Sequence, residues 1–334
     1  MRAMQVQNPA EIESNPLILQ NTPIPIPSQG EVLVKVEACG VCHTDLHIAE
    51  GDIVPSFLPI TPGHQVVGVI EKFGDEENST TFKVGDRVGV PWLYSTCGKC
   101  EFCKNGKSNL CREIQFTGFH VNGGFSDYLI ARIDFLLPLP VGPSAAQIAP
   151  FLCAGIVGYR AIMRSGVQPG EKVALVGFGA SAHLMIQLLC AWDCEVSVIT
   201  RSIMHQNHAQ MLGAKFSGAF SDSPPADHHR VIIFTPVGES VTNSLQVLKP
   251  GGVISINAIH MSDIPSFSYQ AIYGERTITS TTNATYQDGV DFLKLAFDLN
   301  FRAETTIYDL LDLNRALSDL KHSRINGEGV IQVS

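Results

Sequence analysis

Four cysteines within fifteen residues constrain this chain more than any other feature of its sequence. They are Cys97, Cys100, Cys103 and Cys111 in the segment CGKCEFCKNGKSNLC. Four thiolates joined by short links that contain Gly and Lys can surround one tetrahedral ion, and all-sulfur coordination suits zinc. The segment therefore predicts a closed, structural zinc site.

Two other interpretations of these cysteines exist, a disulfide pair and a nucleic-acid zinc knuckle. The N-terminal segment MRAMQVQNPAEIESNP lacks the apolar core of a signal peptide, so we expect a cytoplasmic, reducing location, where disulfides are rare. Zinc knuckles usually include His and occur in basic chains, whereas this chain has a net charge of −9. We predict no nucleic-acid partner.

Composition favours a globular protein of about two domains. The chain has 334 residues, of which 45% are hydrophobic and 16% charged. Two long uncharged stretches resemble membrane spans, but prolines interrupt residues 135–159. Residues 173–192 instead divide into a short apolar strand, a Gly-rich turn and a helix, so we predict no membrane association.

The secondary-structure pattern changes near residue 150. Before it, EVLVKVEA (31–38) alternates apolar and polar residues, and KVGDRVGV (83–90) predicts a turn between two short strands. After it, short apolar strands alternate with helical segments, as in a parallel sheet covered on both faces. We predict an α/β fold with a β-rich domain at 1–150 and 281–334, and a doubly wound parallel sheet at 151–280.

A Gly-rich turn within the second region favours dinucleotide binding. Gly177-x-Gly179-x-x-Ala182 follows the strand VALV and begins a helix. Gly177 permits a tight turn, Gly179 allows close approach of a pyrophosphate, and Ala182 permits close packing of helix and strand. By itself the motif could be an ordinary turn. His183 has no assigned role and is expected to be either hydrogen-bonded or exposed to solvent.

The end of the next strand bears on the choice of dinucleotide. NAD sites usually carry an acidic residue there for the ribose 2′-hydroxyl, but this chain has Thr200 and Arg201. No acid is present to repel a 2′-phosphate, and Arg201 can pair with one. We predict a preference for NADP over NAD; the alternative is that Arg201 merely points to solvent.

Three further residues gain meaning from their motifs. Cys42, His64 and Cys153 could each be ordinary core or loop residues, or could share a metal. However, GVCHTDLH, PGHQ, the four-cysteine segment, FLCAG and GFGASA occur in one order. Together they resemble the zinc-dependent alcohol dehydrogenases of the medium-chain dehydrogenase/reductase superfamily, over essentially the whole chain. IHMSDIPSF and YGERTITSTTNATYQDG resemble a bacterial subgroup.

The resemblance implies a fold and an activity. It implies a GroES-like catalytic domain beside a Rossmann domain, and reversible hydride transfer between a small primary or secondary alcohol and NAD(P)+, giving an aldehyde or ketone. It also implies two zinc ions per chain and a homodimer or homotetramer. Cys42, His64 and Cys153 would ligate the catalytic zinc and leave one position open.

The same resemblance assigns the remaining site residues. Thr44 would take the alcohol proton, and His47 would pass it to solvent. Asp45 would hold the His64 ring, and His43 would meet the cofactor pyrophosphate. Trp92 either lines the substrate pocket or is an ordinary packed aromatic residue.

Three positions depart from the family pattern. Gln65 stands where many members have Glu, Val157 where a Thr often contacts the nicotinamide, and Glu328 where an Arg commonly meets the pyrophosphate. The loss of a charge at Gln65 predicts a lower pH optimum than that of a Gln65→Glu variant. Two competing functions remain, an NADPH-dependent aldehyde or ketone reductase of the cinnamyl alcohol dehydrogenase type and a zinc-stabilised NADPH-binding protein with impaired turnover.

Overall fold

The computed structural model describes residues 1–74 and 81–334. They form two compact units: unit 1 is Met1–Cys153, Thr285–Val290 and Ala303–Ser334, and unit 2 is Ala154–Ala284 and Asp291–Arg302. This division differs from the expected domains at residues 151–153, which lie in unit 1, and at residues 281–284 and 291–302, which lie in unit 2. Residues near 292 belong there because the Phe292 ring packs closely on Gly155. A Cβ atom added to Gly155 would lie 2.2 Å from this ring.

The N-terminal part of unit 1 is mainly β-structure. Its strands are β1 (Arg2–Val6), β2 (Leu17–Asn21), β3 (Glu31–Val41), β4 (Val66–Phe73), β5 (Arg87–Val90), β6 (Leu93–Ser95), β7 (Gln115–Phe116), β8 (Tyr128–Arg132) and β9 (Leu137–Pro138). Its helices are α1 (His43–Glu50), α2 (Glu101–Lys104) and α3 (Ala145–Ile148). The predicted strand at 31–38 is confirmed as part of β3. At 83–90 only the second strand forms, since residues 83–86 make a turn.

Unit 2 contains a parallel sheet. Its helices are α4 (Ala154–Ser165), α5 (Ala180–Ala191), α6 (Ile203–Met211), α7 (Glu239–Val247) and α8 (Tyr269–Ile272). Its strands are β10 (Lys172–Val176), β11 (Glu195–Ile199), β12 (Phe216–Gly218), β13 (His228–Ile233), β14 (Leu248–Ile256) and β15 (Thr277–Ser280). The order β12-β11-β10-β13-β14-β15, with every pair parallel, is that of a doubly wound Rossmann sheet. The predicted fold class is confirmed.

The C-terminal segment completes the sheet of unit 1. It contains α9 (Tyr286–Asp298), β16 (Thr305–Asp309), α10 (Leu313–Lys321) and β17 (Glu328–Gln332). The sheet has the order β16-β17-β3-β4-β5-β9, and β8 also pairs with β3. Because β17 is antiparallel to β3, with Val330 opposite Gly40, residue 328 comes close to the end of β3 that leads into α1.

Each unit has its own apolar core. In unit 1 the buried residues come from segments on both sides of unit 2 in the sequence, such as Val34 on β3 and Ile331 on β17. In unit 2 the strands β10 and β13 supply buried Val, Ile and Leu side chains, as expected for strands covered on both faces.

One helical stretch of the described chain, Ala145–Ser165, is long and apolar enough to cross a membrane by composition alone. Within the protein 78% of its most apolar window is buried. Core helices of globular proteins pass the same test, and the absence of membrane association stays a prediction.

Candidate active site

Asp45 joins two segments that are distant in sequence. It is the third residue of α1, and its Oδ2 accepts the backbone N–H of Cys42 at 2.9 Å. Its Oδ1 accepts the backbone N–H of Gly63 at 2.9 Å and lies 3.2 Å from Nδ1 of His64. A carboxylate at this helix position satisfies an amide that has no partner within the helix. Here it also fixes His64 beside Cys42.

Gly63 makes this approach possible. Its φ of +99° lies in the left-handed region that favours glycine. A Cβ atom at this position would lie 2.8 Å from the backbone nitrogen of Phe125 and 2.9 Å from Sγ of Cys39. The Gly in the PGHQ motif is therefore required by space and by backbone conformation.

Three potential ligand atoms converge in unit 1. One atom each from Cys42, His64 and Cys153 lies within 4.8 Å of the other two. His64 is fully buried, and its Nε2 has no hydrogen-bond partner within the described ranges. Since Nδ1 is held by Asp45, a buried Nε2 without a protein partner suits ligation of an ion, and this donor set suits zinc. No fourth His, Cys, Asp or Glu joins the cluster among the described residues, which leaves one position open.

Contacts within this cluster and with Asp45 shift the pKa values of all three candidate ligands. The hydrogen bond from the Cys153 thiol, with help from His64, lowers the pKa of Cys42 well below its usual range despite burial. The same contact, together with burial, raises the pKa of Cys153. Burial lowers the pKa of His64, but the charge and hydrogen bond of Asp45 outweigh it and raise the pKa to about 10. Cys42 is therefore the anionic member of the cluster, and a divalent ion bound there would displace the protons of His64 and Cys153.

The expected proton-relay residues lie on α1. Thr44 is buried, and its Oγ1 lies 3.8 Å from Sγ of Cys42. His47 lies nearly one turn further, and its Nδ1 is 2.7 Å from Oδ2 of the exposed Asp52. His43, at the first turn of the helix, is exposed. Sequence reasoning did not single out Asp52, whose only signal is its position five residues after His47.

Trp92 packs directly against a candidate ligand. Its ring lies edge-on to the His64 ring, with centroids 4.6 Å apart, and stacks on Phe116 at 4.6 Å and 10°. Trp92 is therefore an aromatic neighbour of the metal cluster as well as a packed residue.

The four-cysteine segment forms a second sulfur cluster. The four Sγ atoms lie within 4.8 Å of one another. The closest pairs, Cys97 with Cys111 and Cys100 with Cys103, are 3.5 Å apart, and all nine cysteines are free thiols. The disulfide alternative is thus not realised. Backbone N–H groups at Lys99 and Cys100 lower the pKa of Cys97 to about 7, which favours a thiolate.

The Gly-rich turn lies in unit 2, between β10 and α5. Gly177 has φ +87°, and Gly179 is the residue at the N-terminal cap of α5. A Cβ atom added to Gly179 would meet nothing within 4 Å, so the backbone is open to a ligand. Ala182 is fully buried, as close packing requires. Beyond β11, Thr200 is partly buried and Arg201 is exposed.

Known proteins resemble the whole chain. Residues 28–141 match the alcohol dehydrogenase GroES-like domain. The probable alcohol dehydrogenase AdhA of Mycobacterium tuberculosis is 39% identical over 100% of this chain and 97% of its own length. An alcohol dehydrogenase of Geobacillus stearothermophilus is 34% identical over 91% of this chain and 92% of its own. The cinnamyl alcohol dehydrogenase structure from Sorghum bicolor is 26% identical, with a TM-score of 0.90, and 99% and 97% of the two chains are covered.

The chain belongs to the zinc-dependent alcohol dehydrogenase family. The predicted membership in the medium-chain dehydrogenase/reductase superfamily is thereby confirmed, as is the combination of a GroES-like domain with a Rossmann sheet.

Two of the positions expected to depart from the pattern of this alcohol dehydrogenase family form a buried pair. Gln65 and Glu328 are both buried, and Nε2 of Gln65 donates a short hydrogen bond to Oε1 of Glu328. Burial, reinforced by the charge of Cys42, raises the pKa of Glu328 well above its usual value. Residue 328 is therefore an internal residue of unit 1, and this contact was not predicted from the sequence.

Val157 and His183 both lie on helices of unit 2. Val157 is partly buried on α4. His183 is buried, with Nδ1 3.4 Å from the carbonyl oxygen of Gly179, so the solvent-exposed interpretation of His183 is wrong.

Proposed function

We propose that this protein is a zinc-dependent, NAD(P)-linked alcohol dehydrogenase that interconverts a small primary or secondary alcohol and the corresponding aldehyde or ketone. The observation that carries the proposal is the convergence of Cys42, His64 and Cys153 with an open fourth position. A structural zinc site has four protein ligands, whereas a catalytic site has three and leaves the fourth position for water or substrate.

Cys42, His64 and Cys153 would hold the catalytic zinc. When bound, zinc supplies a Lewis acid that polarises the oxygen of the alcohol or carbonyl substrate. Asp45 keeps the His64 ring oriented with Nε2 available, and Trp92 with Phe116 covers one side of the ring. These aromatic side chains support an apolar lining for the substrate.

The chain's own hydroxyl and imidazole groups would move the alcohol proton. The Thr44 hydroxyl is buried beside Cys42, where it would accept the substrate proton while it passes its own proton on along the relay that ends at His47. His47 pairs with the exposed Asp52, so a proton that reaches its ring can pass to solvent. Cys97, Cys100, Cys103 and Cys111 would hold a second, structural zinc.

The nicotinamide cofactor would bind through the Gly177–Gly179 turn and Ala182, with His43 at the pyrophosphate. We favour NADP because Thr200 and Arg201 follow β11 and Arg201 is exposed and able to pair with a 2′-phosphate. We expect kcat/KM to be higher with NADP+ than with NAD+ in a spectrophotometric assay over alcohols of graded size. Arg201→Ala should reduce this ratio, whereas Arg164→Ala on α4 should leave it unchanged. Equal or higher kcat/KM with NAD+ in the wild type contradicts the preference.

A reductase working mainly toward the alcohol is the second candidate. It is favoured by the similarity to the Sorghum cinnamyl alcohol dehydrogenase, and the same assay run with aldehydes and NADPH distinguishes it. Small-molecule substrates, a cytoplasmic location and a homodimer or homotetramer complete the proposal.

The metal assignment has a direct test. We expect two zinc ions per chain in the wild type and one in Cys42→Ser, with turnover abolished. Cys39→Ser is the matched control, since Cys39 is a buried thiol outside both clusters, and it should keep both ions. Retention of two zinc ions by Cys42→Ser in metal analysis contradicts the assignment.

A further inference from the structure

Glu328 is a buried carboxyl group that forms no ion pair with a Lys or Arg in the part of the chain that the structure describes. Its side chain is on β17, and Oε1 accepts from Gln65. Oε2 is buried and has no hydrogen-bond partner, and no Lys or Arg pairs with the carboxylate in the described part of the chain. A buried carboxyl group with an unsatisfied oxygen is costly unless a partner is supplied.

The surroundings of Glu328 are those of the metal cluster. Gln65, which bonds Oε1 of Glu328, directly follows His64, and Gly329 lies opposite Val41, the residue before Cys42. In agreement with this placement, the pKa of Glu328 responds to Cys42, His64 and Asp45, and that of Cys153 responds to Glu328. These are the three candidate ligands and the carboxylate that holds His64. The Glu328 side chain, with its unpartnered Oε2, therefore belongs to the same buried region as the candidate zinc site.

The backbone leaves room for this pair. The N–H of Gly40, on β3, donates to the carbonyl of Gln65 at 3.0 Å. A Cβ atom on Gly40 would lie 2.6 Å from Oε1 of Glu328 and 2.8 Å from Nε2 of Gln65. Three segments thus meet here: β3 supplies the space, residue 65 the amide and β17 the carboxylate.

We propose that Glu328 is a positioning residue that controls how tightly the Cys42–His64–Cys153 site retains its metal. Burial favours the protonated form of Glu328, whereas a divalent ion in that site favours the ionised form, whose negative charge then attracts the ion. Gln65 holds the carboxylate in place from Oε1. This inference rests on the proposed function, because it requires that the three residues bind a metal.

The test measures metal release, independently of turnover. The zinc-loaded protein is mixed with excess chromogenic zinc chelator, and the release of both ions is followed by absorbance. The phase from the candidate catalytic site is identified as the one that Cys42→Ser lacks. The phase from the four-cysteine cluster is the internal reference for folding.

We expect Glu328→Gln to accelerate the catalytic-site phase about 10-fold or more, because residues around the ligands typically change metal affinity by this amount. The amide is nearly isosteric and can still bond Gln65, so chiefly the charge is removed. Gly40→Ala should also accelerate this phase, since its Cβ displaces the pair. Glu37→Gln is the matched control on β3, where Glu37 pairs with Arg87, and it should release zinc at the wild-type rate.

The exchange variant Gln65→Glu/Glu328→Gln keeps one carboxylate and one amide in the pair but places the carboxylate at position 65. It should release zinc within about 3-fold of the wild-type rate. It also carries the test if Glu328→Gln fails to fold. Wild-type release from Glu328→Gln, or fast release from the exchange variant, overturns the role of Glu328. A wild-type protein that holds only the four-cysteine zinc overturns the proposed function itself.

Discussion

Asp45 shows how much a single side chain can organise. Its two oxygens hold the amide of Cys42, the amide of Gly63 and the ring of His64. The order of the motifs allowed Asp45 to be predicted as the carboxylate beside His64. Its bond to Gly63 was not predictable, because the loop conformation depends on the packing of Phe125 and Cys39.

His183 is the residue whose burial gives a measurable pH effect. It is fully enclosed on α5, and burial together with the neighbouring His208, whose ring centroid is 5.9 Å away, lowers the pKa of His183 to about 4. The unfolded chain binds a proton near pH 6.5, but the folded chain does so only near pH 4. Stability contributed by neutral His183 is therefore present above pH 6.5 and is lost as the pH falls from 6.5 to 4.

We predict that His183→Gln weakens this acid dependence. The loss in free energy of unfolding between pH 6.5 and 4 should be smaller than in the wild type by up to about 3 kcal/mol, at about 1.4 kcal/mol per pKa unit. Urea unfolding at a series of pH values measures it. His260→Gln, which removes an exposed histidine, should keep the wild-type slope. An unchanged slope in His183→Gln contradicts the prediction.

At the scale of elements, the approach of α1 to the loop before β4 decides the site. The helix begins directly after Cys42, and the loop carries Gly63 and His64. The strand pattern predicted β3 well, because alternation reports which face is buried. It did not predict that β17 would pair with β3, since pairing between residues about 290 apart leaves no local signal.

A pair of glycine variants separates steric clash from backbone strain. Gly63 and Gly85 both have positive φ, +99° and +90°, but a Cβ atom on Gly85 would meet nothing within 4 Å. We expect Gly85→Ala to lower the free energy of unfolding by about 1 kcal/mol. Gly63→Ala should cost about 1–3 kcal/mol more, because its Cβ also overlaps Phe125 and Cys39. Urea unfolding of the zinc-loaded proteins measures the difference, and equal losses would show that the clash is relieved at no cost.

At the scale of the whole molecule, the two candidate metal-ligand clusters lie in unit 1 and the Gly-rich turn in unit 2. Each unit has its own core. The change of pattern near residue 150 favoured two domains, because alternating and continuous apolar strands reflect one buried face or two. The exact boundary within α9 depended on where Phe292 packs.

Removal of metal should therefore affect the two units unequally. After zinc is extracted by a chelator, we expect hydrogen exchange to lose protection at residues 93–116 and around Cys42 and His64. Protection of β10, β11 and β13 should persist, because their stability comes from apolar burial in unit 2. Exchange measured by mass spectrometry with and without chelator tests this, and Cys103→Ser should reproduce only the loss at 93–116. Equal loss of protection throughout unit 2 would contradict it.

The sequence by itself determined the features that depend on local chemistry. The cysteine spacing indicated the four-sulfur cluster, and the strand periodicity indicated the fold class. The order of the motifs indicated the family. Only the tertiary structure decided which distant groups meet: the Asp45 carboxylate with the Gly63 amide, and above all Glu328 with Gln65. The physical reason is that a residue's type and spacing report its chemistry and its local backbone, whereas contacts between distant strands depend on sheet register and on the space left by residues such as Gly40.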